Sequence, residues 1–274
     1  MPTTTAPVKV ASWNEPAGTA TRGTLVLLPG RGEQPSLYER FGQRLASDGY
    51  RVRALGDATA DLDATLAGVQ QLFSADAEPS PRILVGSDTG ALLALRLQAH
   101  GIVRADAVVV AGLPNVRRAA LTPLGWEEEL RARTSCPVYR TWLTDTGQLR
   151  RGVLTADRIP VSLREPVDLS AVTAPVLGLH GSADAVSPLA AVRSEFARLD
   201  TVQLVAVTEG KHDILNDVAH RSVAATIVLF LETLRNGPDA PKITRPVDLG
   251  IERGLLRNHS GTESVIGNGH IAMG

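Results

Sequence analysis

Apolar residues along the chain follow two alternating patterns, short continuous runs and longer stretches with helical spacing. The continuous runs indicate strands of a parallel sheet, because helices cover both faces of such strands. They predict strands at Val8 to Trp13, Gly23 to Leu28, Tyr50 to Leu55, Arg82 to Val85, Asp106 to Ala111, Pro175 to His180 and Val202 to Val207. The helically spaced stretches predict helices at Ser36 to Asp48, Asp61 to Phe73, Ala91 to Leu97, Pro188 to Leu199 and Val218 to Leu234. Strands that alternate with helices are typical of an α/β fold with a doubly wound, mostly parallel sheet.

This alternation stops in residues 113–168, which contain two tryptophans, a tyrosine and several arginines. The stretch is too long for an ordinary connection between a strand and a helix. We therefore predict a core of residues 1–112 and 169–238, with residues 113–168 inserted as a small helical cap over the carboxyl edge of the sheet. Residues 239–274 are glycine-rich and polar. We interpret them as a loosely attached tail, or as an arm through which the chain forms a homo-oligomer.

A short glycine-flanked turn joins the fourth predicted strand to the helix that follows it. Its sequence is Gly86-Ser87-Asp88-Thr89-Gly90. A tight turn of this kind needs glycine at both flanks and holds its central residue in a strained conformation above the sheet. The pattern predicts a nucleophile elbow with Asp88 as the nucleophile. The alternative is a glycine-rich turn in which Asp88 caps the helix.

Two further loops carry polar residues at the carboxyl ends of predicted strands, where open α/β sheets place their sites. Asp184 follows the strand Pro175 to His180, and His212 follows the strand Val202 to Val207. The chain order is therefore nucleophile, acid and histidine. We predict that Asp88, Asp184 and His212 form a catalytic triad.

Composition narrows the classes of partner and site. The chain has 274 residues and a net charge of −1, which offers no electrostatic basis for binding nucleic acid or an anionic membrane. Its single cysteine excludes an intramolecular disulfide, and its histidines lack the spacing of metal ligands. No signal peptide or membrane-spanning run is present in the sequence. We expect a cytoplasmic protein that acts on a small-molecule substrate without a metal or other cofactor.

Three motifs together resemble the α/β-hydrolase-fold superfamily, and within it the monoacylglycerol lipase and lysophospholipase branch. The first is Gly30-Arg31-Gly32-Glu33 ahead of a tyrosine-bearing helix, and the second is His180-Gly181-Ser182-Ala183-Asp184. The third is Gly210-Lys211-His212-Asp213-Ile214-Leu215-Asn216. The resemblance covers about Thr24 to Leu234, matches the cap poorly, and implies an α/β-hydrolase fold with Asp184 as acid and His212 as base.

The chain departs from that branch at the elbow and at the oxyanion loop. Asp88 replaces the serine of the branch, and Pro29 replaces a histidine. An elbow aspartate is similar to that of epoxide hydrolases and haloalkane dehalogenases in the same superfamily. Those families usually have an aromatic residue after the nucleophile or a His-Gly-x-Pro loop, whereas this chain has Thr89 and Pro29-Gly30-Arg31-Gly32.

An aspartate nucleophile favours a particular reaction class. A carboxylate is ionised near neutral pH, so it attacks without help from a base. Attack on an epoxide or similar electrophilic carbon would give an alkyl ester on Asp88, which a water activated by His212 would hydrolyse. The backbone N–H groups of Arg31 and Thr89 would hold the oxyanion of that second step. Attack on an ordinary ester would instead give an anhydride, which is energetically unfavourable.

Aromatic residues of the cap are candidates for substrate binding. Tyr139 could donate a proton to the alkoxide of an opened epoxide, and Trp126 or Trp142 could donate an N–H to a halide or carbonyl. The alternative for all three is packing within the cap. The Arg31 side chain is either solvated or faces the pocket, where it would favour an anionic substrate group.

Other functions are compatible with the same residues. Asp88 and His212 could serve as acid and base in a lyase or cyclase that forms no covalent intermediate. The chain could also be an esterase or lipase homologue, or a non-catalytic ligand-binding scaffold. Fold similarity alone does not separate these alternatives.

Overall fold

The structure is a computed structural model that describes residues 10–116, 124–155, 158–237 and 243–244. The chain divides into residues 1–240 and residues 241–274, and all helices and strands described below belong to the first unit. The predicted tail therefore lies almost wholly outside the described residues. The self-association predicted for the tail stays a prediction.

A seven-stranded sheet forms the centre of the first unit. Its strands are β1 Ala11–Trp13, β2 Gly23–Leu28, β3 Tyr50–Ala54, β4 Arg82–Ser87, β5 Ala107–Ala111, β6 Val176–Gly181 and β7 Val202–Val207. The order across the sheet is β1-β3-β2-β4-β5-β6-β7. β1 pairs antiparallel with β3, and the other neighbouring strands are parallel. The predicted fold class, a doubly wound and mostly parallel sheet, is confirmed.

Helices cover both faces of this sheet. They are α1 Glu39–Ser47, which a 3₁₀ turn at Pro35–Tyr38 precedes, α2 Leu62–Ser74, α3 Thr89–Ala99, α4 Trp126–Arg133, α5 Pro137–Thr146, α6 Val161–Arg164, α7 Leu189–Phe196 and α8 His220–Arg235. In the part of the chain that the structure describes, no helix is long and apolar enough to cross a membrane.

The continuous apolar runs arise because the central strands are buried on both sides. Every residue of β2, β5 and β6 is buried. In β2, Leu25 and Leu27 belong to the hydrophobic cluster on one side of the sheet, and Val26 and Leu28 belong to the cluster on the other. Successive side chains of a strand point to opposite faces, so neither face of β2 has room for polar residues.

The helices α4, α5 and α6 come from the cap, and its hydrogen bonds place it beside two loops at the carboxyl edge of the sheet. The Gln34 N–H donates to the Gln148 carbonyl oxygen at 3.0 Å, which joins the cap to the loop after β2. The Asp213 N–H donates to the Arg133 carbonyl oxygen at 2.8 Å, which joins it to the loop after β7. The boundaries of the cap stay a prediction.

Candidate active site

The turn between β4 and α3 has the backbone geometry expected of a nucleophile elbow. Asp88 has φ +47° and ψ −116°, a conformation that residues with a side chain rarely adopt. A Cβ atom on Gly86 would lie 2.3 Å from the Gly90 carbonyl oxygen. A Cβ atom on Gly90 would lie 2.0 Å from the Leu28 carbonyl oxygen, so both flanking glycines are required by close packing.

The loops after β4, β6 and β7 bring the three predicted triad residues into contact. His212 Nε2 lies 3.1 Å from Asp88 Oδ1, and His212 Nδ1 lies 2.7 Å from Asp184 Oδ2. The second oxygen of Asp184 accepts the N–H groups of Val186 and Ser187 at 2.8 and 2.9 Å. Asp184 is therefore fixed in place and orients the imidazole ring toward Asp88. The catalytic roles of these residues stay predictions.

Arg31, from the loop after β2, makes more contacts with Asp88 than His212 does. Its Nε lies 2.7 Å from Asp88 Oδ2, its Nη2 lies 2.8 Å from Oδ1, and its backbone N–H donates to Oδ2 at 3.0 Å. Nη1 donates to the Thr155 carbonyl oxygen of the cap at 2.7 Å. Arg31 is only 2% exposed, so the interpretation of a solvated side chain is wrong. The N–H predicted to hold an oxyanion binds the Asp88 carboxylate in this state.

Thr89, the other residue predicted to stabilise an oxyanion, is the first residue of α3. The first N–H groups of a helix have no partner within the helix, so such a group is available to an oxyanion. The Thr89 hydroxyl is buried and has no hydrogen-bond partner among the described residues. Its assignment stays a prediction.

Charges in this group shift the pKa values of its members. Burial alone would raise the pKa of Asp88, but the charge of Arg31 and hydrogen bonds from His212 and Arg31 hold it well below its usual value. Burial would lower the pKa of His212, but Asp184 and Asp88 raise it to about 10. Near neutral pH the group therefore contains two cations, Arg31 and the His212 imidazolium, and two carboxylates. We call Asp88, Arg31, His212 and Asp184 the Asp88 group.

The architecture and the site can be compared with known proteins. No family model and no curated protein matches the chain. Among solved structures, the monoacylglycerol lipase of Paleococcus ferrophilus matches with TM-score 0.64 and 16% identity, over 84% of this chain and 100% of that one. A soluble variant of monoglyceride lipase from Saccharomyces cerevisiae matches with TM-score 0.66 and 14% identity, over 85% and 97%. The enol-lactonase of Burkholderia xenovorans LB400 matches with TM-score 0.57 and 15% identity, over 82% and 96%.

This chain has the α/β-hydrolase fold. At 14–16% identity, these matches show the fold alone. In α/β-hydrolase folds the nucleophile lies on a turn from strand to helix, and the acid and the histidine follow it in this order along the chain. In this chain the loops after β4, β6 and β7 carry Asp88, Asp184 and His212.

A second buried ionic cluster lies beside the Asp88 group in this α/β-hydrolase fold. Arg133, from α4, has Glu129 Oε1 at 3.1 Å from Nη2, and Glu33 Oε1 and Asp213 Oδ1 each at 3.4 Å from Nη1. All four side chains are at most 3% exposed. Arg133 Nη2 also donates to the Arg31 carbonyl oxygen at 3.3 Å. We call Arg133, Glu33, Glu129 and Asp213 the Arg133 cluster.

The Arg133 cluster has three carboxyl groups for one cation. Burial raises the pKa of Asp213 well above its usual value, and the charge of Glu33 adds to that rise while Arg133 opposes it. This direction favours the protonated form of Asp213. The sequence interpretation missed this cluster, although Glu33 and Asp213 belong to two of the motifs quoted for the resemblance. Their position in those motifs was the available signal.

The three cap aromatics contact other residues of the cap and the core. Trp126 Nε1 donates to Thr144 Oγ1 at 3.2 Å, and the Tyr139 and Trp142 rings lie 5.9 Å apart. The Tyr139 hydroxyl is buried without a hydrogen-bond partner among the described residues. Burial, and then the charges of Glu33 and Asp213, raise the pKa of Tyr139 well above its usual value. Substrate binding by these rings stays a prediction.

Residues on both sides of Thr155 in the chain line a cleft of about 390 Å³. The lining residues described are Thr59, Arg150, Arg151, Gly152, Val153, Arg158 and Pro160. The three arginines are exposed. Within the described residues, no group of three or more His, Cys, Asp or Glu side chains is placed to hold a metal ion. The described lining of this cleft therefore presents cationic side chains, which suit an anion.

Proposed function

We propose that the chain is a hydrolase that opens an epoxide or a similar electrophile through an ester on Asp88. The observation that carries the proposal is the position of the Asp88 carboxylate, at the elbow and 3.1 Å from His212, which Asp184 orients from 2.7 Å. With His212 in contact with both carboxylates, Asp88 supplies a nucleophile for the first step, and His212, oriented by Asp184, supplies a base for the second.

In the first step an oxygen of Asp88 attacks an epoxide carbon and the carbon–oxygen bond of the ring breaks. Asp88 becomes an uncharged ester, and the substrate oxygen becomes an alkoxide that needs a proton. The charge of Asp88 is one cause of the raised pKa of His212. Esterification removes that charge, so the imidazolium becomes more acidic and gives its proton to the alkoxide.

In the second step neutral His212 takes a proton from water, and the resulting hydroxide attacks the ester carbonyl carbon. The N–H groups of Arg31 and Thr89 stabilise the oxyanion that forms. Its collapse breaks the bond between the carbonyl carbon and the substrate oxygen, which takes the proton of the new Asp88 carboxyl group and leaves as the diol. The Asp88 carboxylate and the His212 imidazolium are then restored, so atoms and charges balance over the cycle.

A second candidate is esterase or lipase-like hydrolysis, because the solved structures with this fold include monoacylglycerol lipases and an enol-lactonase. Asp88 opposes this candidate, since its attack on an ester gives an anhydride. A lyase or cyclase that uses Asp88 and His212 as acid and base remains the third reading. The lyase or cyclase mechanism forms no covalent adduct, and this distinguishes it from the hydrolase mechanism through an ester on Asp88.

Intact-protein mass spectrometry after incubation with a panel of epoxides tests the proposal. In His212→Gln the ester should accumulate, because the hydrolysis loses its base, whereas the first attack needs no base and its alkoxide can take a proton from water. Peptide mapping should place the added mass on Asp88, and Asp88→Asn should take up none. His220→Gln, a substitution on α8 outside the triad, is the control and should turn over without accumulating ester.

Two results would reject the proposal. Turnover of an epoxide with no adduct in His212→Gln would favour acid–base chemistry without a covalent step. Hydrolysis of simple esters that depends on His212, with no epoxide reactivity, would favour the esterase candidate.

A further inference from the structure

The guanidinium of Arg31 makes two hydrogen bonds to the carboxylate of Asp88. In the proposed function this carboxylate is the nucleophile. Arg31 Nε and Nη2 donate to the two Asp88 oxygens at 2.7 and 2.8 Å. Asp88 is 1% and Arg31 2% exposed, so solvent screens the pair weakly. Two parallel hydrogen bonds of this kind are the geometry by which arginine recognises a carboxylate.

This pair blocks the nucleophile. Each Asp88 oxygen has two donors, since Oδ2 also accepts the Arg31 backbone N–H and Oδ1 also contacts His212. Attack on carbon requires a free lone pair on one oxygen. The backbone N–H and the imidazole are needed for the second step of the proposed reaction, so the guanidinium is the group that has to leave Asp88.

Arg31 cannot leave Asp88 as a neutral group, because a guanidinium does not lose its proton in a protein. A buried charge without a partner is strongly unfavourable. An uncharged electrophile would convert Asp88 to an ester and leave Arg31 facing no anion. A substrate that brings its own carboxylate would supply the missing partner in the geometry that Asp88 already shows.

The surroundings of Arg31 favour arrival of an anion. Its Nη1 donates to the Thr155 carbonyl oxygen, so the side chain stays attached to the cap while Nε and Nη2 change partner. The arginine-rich cleft includes Arg150, Arg151 and Arg158, and its lining residue Val153 lies two positions before Thr155 in the chain. Asp57 accepts from Arg150 at 3.3 Å and offsets part of this charge.

We propose that the substrate is a small organic acid whose carboxylate exchanges with Asp88 on the Arg31 guanidinium. The exchange frees Asp88 to attack an electrophilic carbon close to that carboxylate. Until an anionic substrate arrives, the nucleophile stays blocked, which protects it from uncharged electrophiles. The proposal rests on the proposed function and names the substrate class of the same site.

A matched pair of epoxides tests the substrate class in the wild-type protein. Glycidate and glycidamide differ only in a carboxylate against a carboxamide. With each rate divided by the uncatalysed rate, we expect kcat/KM for glycidate to exceed that for glycidamide by at least about 100-fold. Arg31→Gln should bring this ratio close to one, and Arg44→Gln, an exposed substitution on α1, should leave it unchanged. A ratio near one in the wild type would overturn the proposal.

Binding of an inert acid tests the same site without chemistry. In Asp88→Asn the guanidinium has lost its anion, so propanoate should raise the melting temperature of this variant and propanamide should not. The double variant Asp88→Asn with Arg31→Gln should lose the response, whereas Asp88→Asn with Arg44→Gln should keep it. Equal responses in the two double variants would overturn the proposal. If Asp88→Asn does not fold, the wild-type rate ratio still decides.

These results separate the substrate class from the proposed function. Equal ester formation from glycidate and glycidamide in His212→Gln keeps Asp88 as nucleophile and overturns the role of Arg31. Propanoate binding through Arg31, without ester formation from any epoxide, supports the carboxylate site and rejects the covalent mechanism.

Discussion

Two buried arginines, Arg31 in the loop after β2 and Arg133 in α4, bind their carboxylates in different ways. Arg31 faces a single carboxylate, Asp88, with both contacts of the guanidinium below 3 Å. Arg133 is shared among three carboxyl groups at 3.1 to 3.4 Å. The first is a directional pair of one cation and one anion. The second is a looser cluster in which negative groups outnumber the cation.

The difference bears on what each arginine does. The Asp88 group is balanced, with two cations and two anions, so a substrate carboxylate on Arg31 replaces the negative charge that Asp88 loses when it becomes an ester. The Arg133 cluster joins α4 to the loops that carry Glu33 and Asp213, and burial within it raises the pKa of Asp213. We infer that the first region is built for exchange of a partner, and the second fixes the cap to the core.

The largest expected effect follows from removing the charge of Asp88. Asp88→Asn keeps the shape but has no anion, so ester formation should fall by at least about 10⁴-fold. It also leaves Arg31 buried without a carboxylate, which should lower the free energy of unfolding by about 3–5 kcal/mol. Stopped-flow assay of ester formation and urea unfolding measure the two effects. Full activity in Asp88→Asn would reject both enzymatic readings and favour a non-catalytic scaffold.

Replacing Arg133 should lower stability about as much as Asp88→Asn does. It should not slow ester formation to a similar extent. Arg133→Met leaves Glu33, Glu129 and Asp213 without a cation and should lower the free energy of unfolding by about 3–5 kcal/mol. The loss should shrink at acid pH, because the carboxyl groups then take up protons. Urea unfolding at two pH values measures this. Arg131→Met, an exposed substitution in the same helix, is the control and should change stability by less than about 0.5 kcal/mol. A pH-independent loss would contradict the account.

The hydrophobic pattern predicted the core of this fold well, because each central strand is buried on both faces. The predicted bounds of β2 and β7 agree with the structure, and the first helix was predicted as one element where a 3₁₀ turn precedes α1. The three triad residues were predicted from turn geometry and motif order, which depend on local sequence. Such features are visible without knowledge of tertiary contacts.

The contacts of Arg31 and Arg133 could not be predicted in the same way. Arginine and glutamate on a loop or a short helix are usually solvated, and only the packing of the cap against the loop after β2 buries them. Arg31 and Thr155 are separated by 124 positions, and Arg133 and Glu33 by 100. No local pattern reports contacts between residues so far apart in the chain.

A smaller effect is expected in the pH dependence of stability. His212 has a pKa raised from 6.5 to about 10, so its contribution to stability is complete below pH 6.5 and is lost as the pH rises toward 10. Near pH 6 the free energy of unfolding of the wild type should exceed that of His212→Gln by a few kcal/mol, as expected from a pKa shift of this size. That difference should disappear at about pH 10. Urea unfolding of both proteins across this range measures it, and a constant difference would contradict the raised pKa.

A still smaller effect is expected for Asp213→Asn, because the raised pKa of Asp213 favours its uncharged form. Because its folded-state pKa is raised, the wild type loses stability relative to the variant as the pH rises above about 4. Near that pH the free energies of unfolding of the two proteins should agree within about 1 kcal/mol. At neutral pH the variant should be more stable relative to the wild type than it is near pH 4. Equilibrium urea unfolding at both pH values measures this difference.

Asp217→Asn provides the contrast for Asp213. The Asp217 oxygens accept from the Thr134 hydroxyl, the Ser135 N–H and the Lys211 N–H at 2.9, 2.7 and 2.8 Å. An amide cannot accept all of these hydrogen bonds, so this variant should lose about 1–3 kcal/mol. If Asp213→Asn lost as much at neutral pH, Asp213 would be ionised and the Arg133 cluster would be more negative than we infer.

The smallest expected effect concerns Tyr139, which borders the Arg133 cluster rather than the Asp88 group. Its hydroxyl is buried without a partner among the described residues, so Tyr139→Phe should change the free energy of unfolding by less than about 1 kcal/mol, in the direction of greater stability. Tyr38→Phe is the control, because the Tyr38 hydroxyl donates to Glu33 and accepts the Gly30 N–H, and its removal should cost about 1–3 kcal/mol. Turnover of an epoxide should fall by less than about 3-fold in Tyr139→Phe, since the raised pKa of Tyr139 makes it a poor proton donor. A fall of about 100-fold or more would instead make Tyr139 the acid for the alkoxide and remove that role from His212.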